Sequence, residues 1–342
     1  MNRLVLTRPD DWHLHLRDEP YLKMTVADAA RQFARALVMP NLRPPLYRLQ
    51  PIRDYRARIR RAAGETGFSP LMSFYLTDQA QPEEIRQGYE EGLLTAAKLY
   101  PQGATTNSSQ GVSRVENLTS VLEEMQRVGM PLLVHGEVVD ETVDIFDREA
   151  VFLERVLTPL RQRFPALKLV LEHVTTREGV AWVCEAPGPT AGTITAHHLH
   201  LNRNHLLAGG IRPHHYCLPV AKREEHRQAL VQAATSGNKR FFLGTDSAPH
   251  AQSLKEAACG CAGVYTAHAA LELYAEAFAA VGKLDRLEGF ASFYGPDFYG
   301  LPRNQGHVTL VEEAWDVPEF YVYGCETLVP FRANQQLRWK LE

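Results

Sequence analysis

Eight short apolar runs, each followed by a stretch of helical period, constrain this chain more than any other feature. The runs cover 11–16, 35–40, 70–76, 94–99, 131–136, 168–174, 191–197 and 241–246. Helical patterns lie at 24–34, 51–64, 81–91, 116–129, 147–163, 176–185, 222–236 and 264–281. Aliphatic or β-branched runs alternating with helices are the pattern of a parallel sheet wound by crossover helices. Some helix ends carry their own signals, with Pro82-Glu83-Glu84 opening one and Gly129 closing another. No Gly/Ser or Pro-rich linker, internal repeat or low-complexity segment divides the chain. The expected fold is α/β, a (β/α)8 TIM barrel over roughly 8–285 with a C-terminal extension over roughly 286–342, in one metal-dependent hydrolase domain. A doubly wound open sheet satisfies the same alternation and stays open on pattern alone.

Composition narrows the function classes. The 342 residues, 45% of them hydrophobic, suffice for a barrel with long loops. With 37 basic and 40 acidic side chains and no long block of one sign, neither nucleic acid nor a membrane is an expected partner. The first residues turn to Arg-Pro-Asp-Asp before a signal-peptide core forms, and no apolar run approaches about 18 residues, so the expected location is the cytoplasm. Five scattered cysteines, 184, 217, 259, 261 and 325, make no disulfide framework, and Cys259-Gly260-Cys261 reads as packing and a tight turn.

The chemistry begins at Asp11-Trp12-His13-Leu14-His15-Leu16-Arg17. On a strand, alternate side chains share a face, so His13, His15 and Arg17 point one way and Leu14 and Leu16 the other. Two imidazoles at that spacing can meet one metal ion, although two half-exposed strand histidines would read the same in isolation. More weight comes from Asn41, Lys98, His135, His173 and Asp246, each ending an otherwise apolar run where a (β/α)8 barrel places its active site. Four histidines, an aspartate and a lysine exceed the ligand set of one catalytic zinc, and two metals are the simpler account. Lys98 fits beside them as a carbamate: burial near positive charge favours its neutral amine, which adds carbon dioxide to become an anionic bridge. Arg17, Asn41 and His250 form a set of donors for a small carboxylate. Thr105 and Thr106 sit in a polar loop, 103–109, able to close over a substrate. The group His197-His198-Leu199-His200, together with His214 and His215, reads as structural.

These residues resemble a known family. Asp-Trp-His-Leu-His-Leu-Arg-Asp at 11–18, Met-Pro-Asn at 39–41, Lys-Leu-Tyr-Pro at 98–101, Ala-Thr-Thr-Asn-Ser at 104–108, His-Gly-Glu at 135–137, Glu-His at 172–173 and Gly-Thr-Asp-Ser-Ala-Pro-His at 244–250 are similar to the stand-alone bacterial (class II) dihydroorotases of the amidohydrolase superfamily. The likeness runs in order through Cys259-Gly260-Cys261-Ala262-Gly263; Gly103, ahead of the threonine pair, departs from it and is expected to loosen that loop. The resemblance implies one zinc on His13, His15 and Asp246 and a second on His135 and His173, bridged by carbamylated Lys98 and a hydroxide. It further implies that Asp246 shuttles a proton, that Arg17, Asn41 and His250 hold the dihydroorotate carboxylate, and that main-chain groups at Leu218 and Ala262 meet the ring. The substrate pair would be dihydroorotate and N-carbamoyl-aspartate, in pyrimidine biosynthesis, and the assembly a homodimer. A hydantoinase or allantoinase-like enzyme shares the metals without needing the carboxylate set. A catalytically dead scaffold would lack part of the ligand set, which here is complete.

Overall fold

The structure, a computed structural model, describes residues 2–342. An opening strand β1 (Arg3–Thr7) precedes eight strands: β2 (Asp10–Leu14), β3 (Arg35–Val38), β4 (Ser69–Tyr75), β5 (Leu94–Leu99), β6 (Leu132–Val134), β7 (Leu169–Leu171), β8 (Thr190–Ile194) and β9 (Phe241–Leu243). β2 to β9 are neighbours in chain order and run parallel. A crossover follows each strand, and such strands are covered on both sides, which is why they read as continuous apolar runs. Alternation then separates two cores. Leu37, Ala96, Leu133, Val170 and Phe242 fill the barrel interior, while Ala36, Ala97, Leu132, Leu169 and Phe241 pack outward beneath the helices. The (β/α)8 architecture expected from the alternation is the one present.

β9 returns to β2 and closes the ring. The Asp246 amide donates to the His13 carbonyl at 2.8 Å, and the His15 amide to the Ser247 carbonyl at 3.2 Å. Asp11 reinforces this seam, its carboxylate accepting the amides of His13 and Thr245 and the Thr245 hydroxyl. Burial pushes that carboxyl up to about 6 against the opposing effect of those hydrogen bonds. The seam positions both His13 and Asp246.

The β2–β3 register shifts between Asp11 and Leu14. A bulge of this kind turns consecutive residues to one side, so Trp12 and His13 both enter the barrel and Leu14 goes outward. Trp12 stacks on Tyr299, ring centroids 4.1 Å apart, from a short helix, Tyr294–Tyr299, that plugs the end of the barrel away from the strand C-termini.

Most expected helices are present within a residue or two of their expected limits, and Gly129 ends its helix in the left-handed conformation. The helix expected over 147–163 contains a π turn at Leu153–Leu157. The helix expected over 264–281 begins only at Ala270. Its first residues are claimed by the seam: Val264 bridges Ser247, and the Ser247 hydroxyl accepts the amides of Thr266 and Ala267. The C-terminal residues supply β10 (His307–Val311), which lies antiparallel between β1 and Lys340–Leu341. Among the described residues no helix is long and apolar enough to cross a membrane.

Candidate active site

The barrel mouth gathers the expected residues. His13 lies in β2 and Lys98 in β5, while Asn41, His135, His173 and Asp246 follow β3, β6, β7 and β9 within a few residues. His13, His15, Arg17, Asn41, Thr105, Thr106, His135, His173, Leu218, Asp246 and Ala262 line one small enclosed space of about 20 Å³. Lys98 is fully buried in its wall, and His250 reaches it through Arg17 and Ala262.

Three ligand atoms converge on one side. His15 Nε2 lies 3.0 Å and His13 Nε2 3.1 Å from Asp246 Oδ1, with 3.3 Å between the two ring nitrogens. His13, His15 and Asp246 could together hold one ion, since zinc–nitrogen bonds of about 2.0–2.1 Å are compatible with ligand atoms this close together. Such nitrogens, facing each other in a dry site, suit a cation better than a hydrogen-bond network. Gly244 leaves room for this approach, since a Cβ there would lie 2.8 Å from Thr193 Cβ and 3.2 Å from His13 Cβ. The second group lies alongside, His173 being 5.2 Å from His13 and 4.8 Å from His135 between ring centroids. His173 Nδ1 is buried without a partner. The donor set therefore fits a metal ion.

Electrostatics agree with a cationic guest. Burial drives His15 down to about 3 and His173 well below the usual imidazole range, so both rings are neutral. Burial also raises the Asp246 carboxyl, but His13 and the hydrogen bonds from His13 and His15 outweigh it and hold the group well below its ordinary value. Lys98 is pushed well down by burial, with Asp246 opposing, which favours the neutral amine.

Several contributors escaped the sequence reading. Glu172 touches Lys98 Nζ, and its second oxygen lies 3.0 Å from His13 Nδ1. With His13 and His173 it forms a further cluster able to hold a metal. Glu137 Oε2 is 2.7 Å from His135 Nε2 and so directs the other ring nitrogen toward the cluster. Strand parity would have found both: Val170 faces inward, hence so does Glu172, and His135 and Glu137 differ by two. Tyr100, buried and 6.2 Å from His135 between ring centroids, shares the mouth.

Backbone strain concentrates here as well. Among the described residues six non-glycine residues have positive φ, and Arg17, His173 and Asp246 are three of them, with Asn107 in the threonine loop a fourth. Left-handed backbone costs about 1–3 kcal/mol at a non-glycine residue and persists only where the surroundings enforce it. At His173 it turns inward a residue whose strand parity points outward.

The side opposite the histidines is polar and closed. Arg17 Nε donates to the Pro249 carbonyl at 3.1 Å, and its Nη1 is buried without a partner, as is Asn41 Oδ1. His250 Nε2 lies 3.0 Å from both Arg17 Nη2 and the Ala262 carbonyl, and one nitrogen either accepts from the first or donates to the second. The threonine loop is folded in, the Thr106 hydroxyl donating to the Ala262 carbonyl at 3.3 Å and Asn41 Nδ2 to the Thr106 carbonyl at 3.0 Å. Gly103 tightens this loop instead of loosening it: its positive φ turns the chain and its amide donates to the Ser108 carbonyl.

Several of the remaining histidines have structural partners, whereas His197 is buried with neither ring nitrogen hydrogen-bonded. His198 is satisfied by the Thr195 hydroxyl and the Pro219 carbonyl, and His200 donates to the Leu273 carbonyl. His197, His198 and Cys217 lie close enough to hold a metal, but the bonds of His198 are already made. His214 pairs with Glu256 and His215 with the His205 carbonyl. Cys259 is exposed and Cys261 half-buried, with Gly260 turning the chain between them at φ +44°.

Residues 10–315 match the model of the amidohydrolase family. A dihydroorotase of Nitrosomonas europaea is 58% identical over 345 residues, covering 99% of this chain and 98% of that protein. The chain is a member of the dihydroorotase family. Among solved dihydroorotases, that of Campylobacter jejuni superposes with a TM-score of 0.92 at 35% identity, covering 100% of this chain and 98% of that one. The dihydroorotase of Saccharomyces cerevisiae, solved with 5-fluoroorotic acid, gives 0.91 at 31% identity, covering 100% and 99%. The L-hydantoinase of Arthrobacter aurescens shares the fold alone, with a TM-score of 0.82 at 14% identity over 98% of this chain and 82% of that one.

Proposed function

We propose that this chain interconverts dihydroorotate and N-carbamoyl-aspartate by reversible hydrolysis of the cyclic amide, in pyrimidine biosynthesis. One observation carries the choice of substrate: a half-buried Arg17, whose buried Nη1 is free, lies beside His250 and lines the same small space as Asn41 and the histidine cluster. A guanidinium there pairs with a carboxylate fixed to the ring. Hydantoin and allantoin have no such group. The S. cerevisiae relative was solved with an orotic acid derivative, an acid of the same shape.

His13, His15 and Asp246 would hold one zinc ion and His135 and His173 a second, with Lys98 carbamylated and shared between them. Bound there, the ions would polarise the amide carbonyl and lower the pKa of a water. The chain's own groups do the rest. Arg17, Asn41 and His250 orient the substrate through its carboxylate, and the main chain at Leu218 and Ala262 holds the planar edge of the ring. The Asp246 carboxylate takes the proton of the attacking water and returns it to the ring nitrogen, which is too basic to leave as an anion. Thr105 and Thr106 cover the substrate and exclude bulk water. Lys98 supplies the neutral amine that carbamylation requires, because its surroundings are dry. A homodimer, which the resemblance implies, at work in the cytoplasm completes this reading.

Turnover of dihydroorotate, hydantoin and allantoin by the purified protein, beside its metal content, tests the proposal. Dihydroorotate should be the preferred substrate with about two zinc ions per chain. Preference for hydantoin or allantoin defeats it.

A further inference from the structure

Lys255 is a buried lysine whose ammonium bonds only to main-chain carbonyls. Nζ donates to Tyr216 O at 2.8 Å, Cys261 O at 2.8 Å and Gly263 O at 2.7 Å, and the residue is 3% exposed. An ammonium has three N–H donors, and here each finds one acceptor. Those carbonyls belong to the two loops that carry Leu218 and Ala262. Cys261 and Gly263 are the immediate neighbours of Ala262, so fixing both their carbonyls toward Lys255 leaves the Ala262 carbonyl facing the mouth, where Thr106 and His250 reach it. Tyr216 O also accepts the Gly263 amide at 3.0 Å, tying one loop to the other. Gly263 itself is confined, with φ +154° and a notional Cβ 2.8 Å from the Ala248 carbonyl.

We propose that Lys255 is a positioning residue for substrate binding: its ammonium clamps the Tyr216–Leu218 and Cys261–Gly263 loops so that their main chains present a fixed edge to the dihydroorotate ring. The inference rests on the functional reading above. Lys255 does not line the site itself, and its hydrogen bonds reach the substrate only through backbone. Its loss therefore weakens ring binding and leaves the metal cradle unchanged.

The clamp depends on charge. Burial lowers the Lys255 ammonium to about 8, with Cys217 and Cys261 opposing. Below that pH three N–H groups face three carbonyls; above it a neutral amine offers two and turns a lone pair toward the third. Among the titratable groups around it, burial holds the Cys217 thiol up near 12 and raises Cys261 and Tyr216, while His250 and His197 are pushed down.

The test compares wild type, Lys255→Met and Lys255→Arg with dihydroorotate as substrate. Lys255→Met should raise KM about tenfold or more, with kcat within about threefold and metal content unchanged. Wild-type KM should rise as pH passes about 8, and the permanently charged Lys255→Arg protein should lack that rise. The pH series on wild type decides the matter even where Lys255→Met fails to fold. A Lys255→Met protein with unchanged KM, or a wild-type KM that is flat from about pH 7 to 9, overturns the clamp. A wild type that does not turn over dihydroorotate overturns the functional reading and the clamp together, whereas a wild type active on it with a flat KM overturns the clamp alone.

Discussion

In the proposed metal cradle, His13, His15, Lys98, His135, His173 and Asp246 are side chains on barrel strands or within three residues of a strand end. Across the mouth, Arg17, Asn41, Thr106, His250 and Ala262 sit on loops and meet largely through main-chain atoms, such as the carbonyls of Pro249, Thr106 and Ala262. The cradle inherits the rigidity of a closed parallel sheet. The opposite wall holds its shape through hydrogen bonds among segments far apart in the chain. A (β/α)8 barrel can therefore keep the groups at its strand ends while its loops change what they recognise.

That contrast breaks most readily in the cradle. Lys98→Ala and Asp246→Asn should both lose most activity, for different reasons. Lys98→Ala removes a ligand proposed for both ions, so metal content should fall with rate, and added short carboxylic acids should restore part of it. Asp246→Asn keeps an oxygen for the metal but cannot return a proton, so metal should remain while turnover drops about 10²–10⁴-fold. Metal stoichiometry measured beside kcat separates the two, and an Asp246→Asn protein with near-normal turnover removes the shuttle.

Arg17→Met comes next. The loss of a charged partner at a desolvated site should cost about 2–4 kcal/mol in kcat/KM for dihydroorotate with both metals retained. Should metal leave as well, the division between cradle and loop wall is wrong. Glu172→Gln sharpens the cradle side, because a group that supports ligands without being counted among them should cost about 10–100-fold in metal affinity. Competition with a chelator measures it, and unchanged affinity assigns Glu172 to packing. The smallest effect belongs to the loop: Thr105→Ala with Thr106→Ala should lower turnover several-fold while metal content and melting temperature hold. Normal kinetics in that double variant would leave the loop a simple connection.

The two sides also differ in how far the sequence discloses them. Period-two and helical patterns carry the eight strands, and polar residues ending apolar runs carry the cradle, because both follow from alternation alone. Glu172 and Glu137 obey the same alternation and were within reach of it. Lys255 was not, since its role depends on three carbonyls brought together by folding, and carbonyls leave no trace in residue identity. The pairing of β1 with β10 was hidden for a similar reason: the partners are separated by nearly the whole chain. The delayed start of the helix at Ala270 likewise comes from Ser247 capturing the Thr266 and Ala267 amides. Arg17, His173 and Asp246 were recognised by type, but the left-handed backbone that aims them was not.

The bonds that close the barrel between β2 and β9 also set the order in which this protein can come into being. His15 and Asp246 are 231 positions apart, among the widest separations in the ring. Entropy makes the joining of such distant segments a late event in folding. The first metal's proposed ligands thus stand on both sides of the ring's most distant joint. An incompletely folded chain would present isolated pairs of histidines and no full ligand triad, so metal capture would report completion of the whole ring, and an ion arriving early would find nowhere to stay.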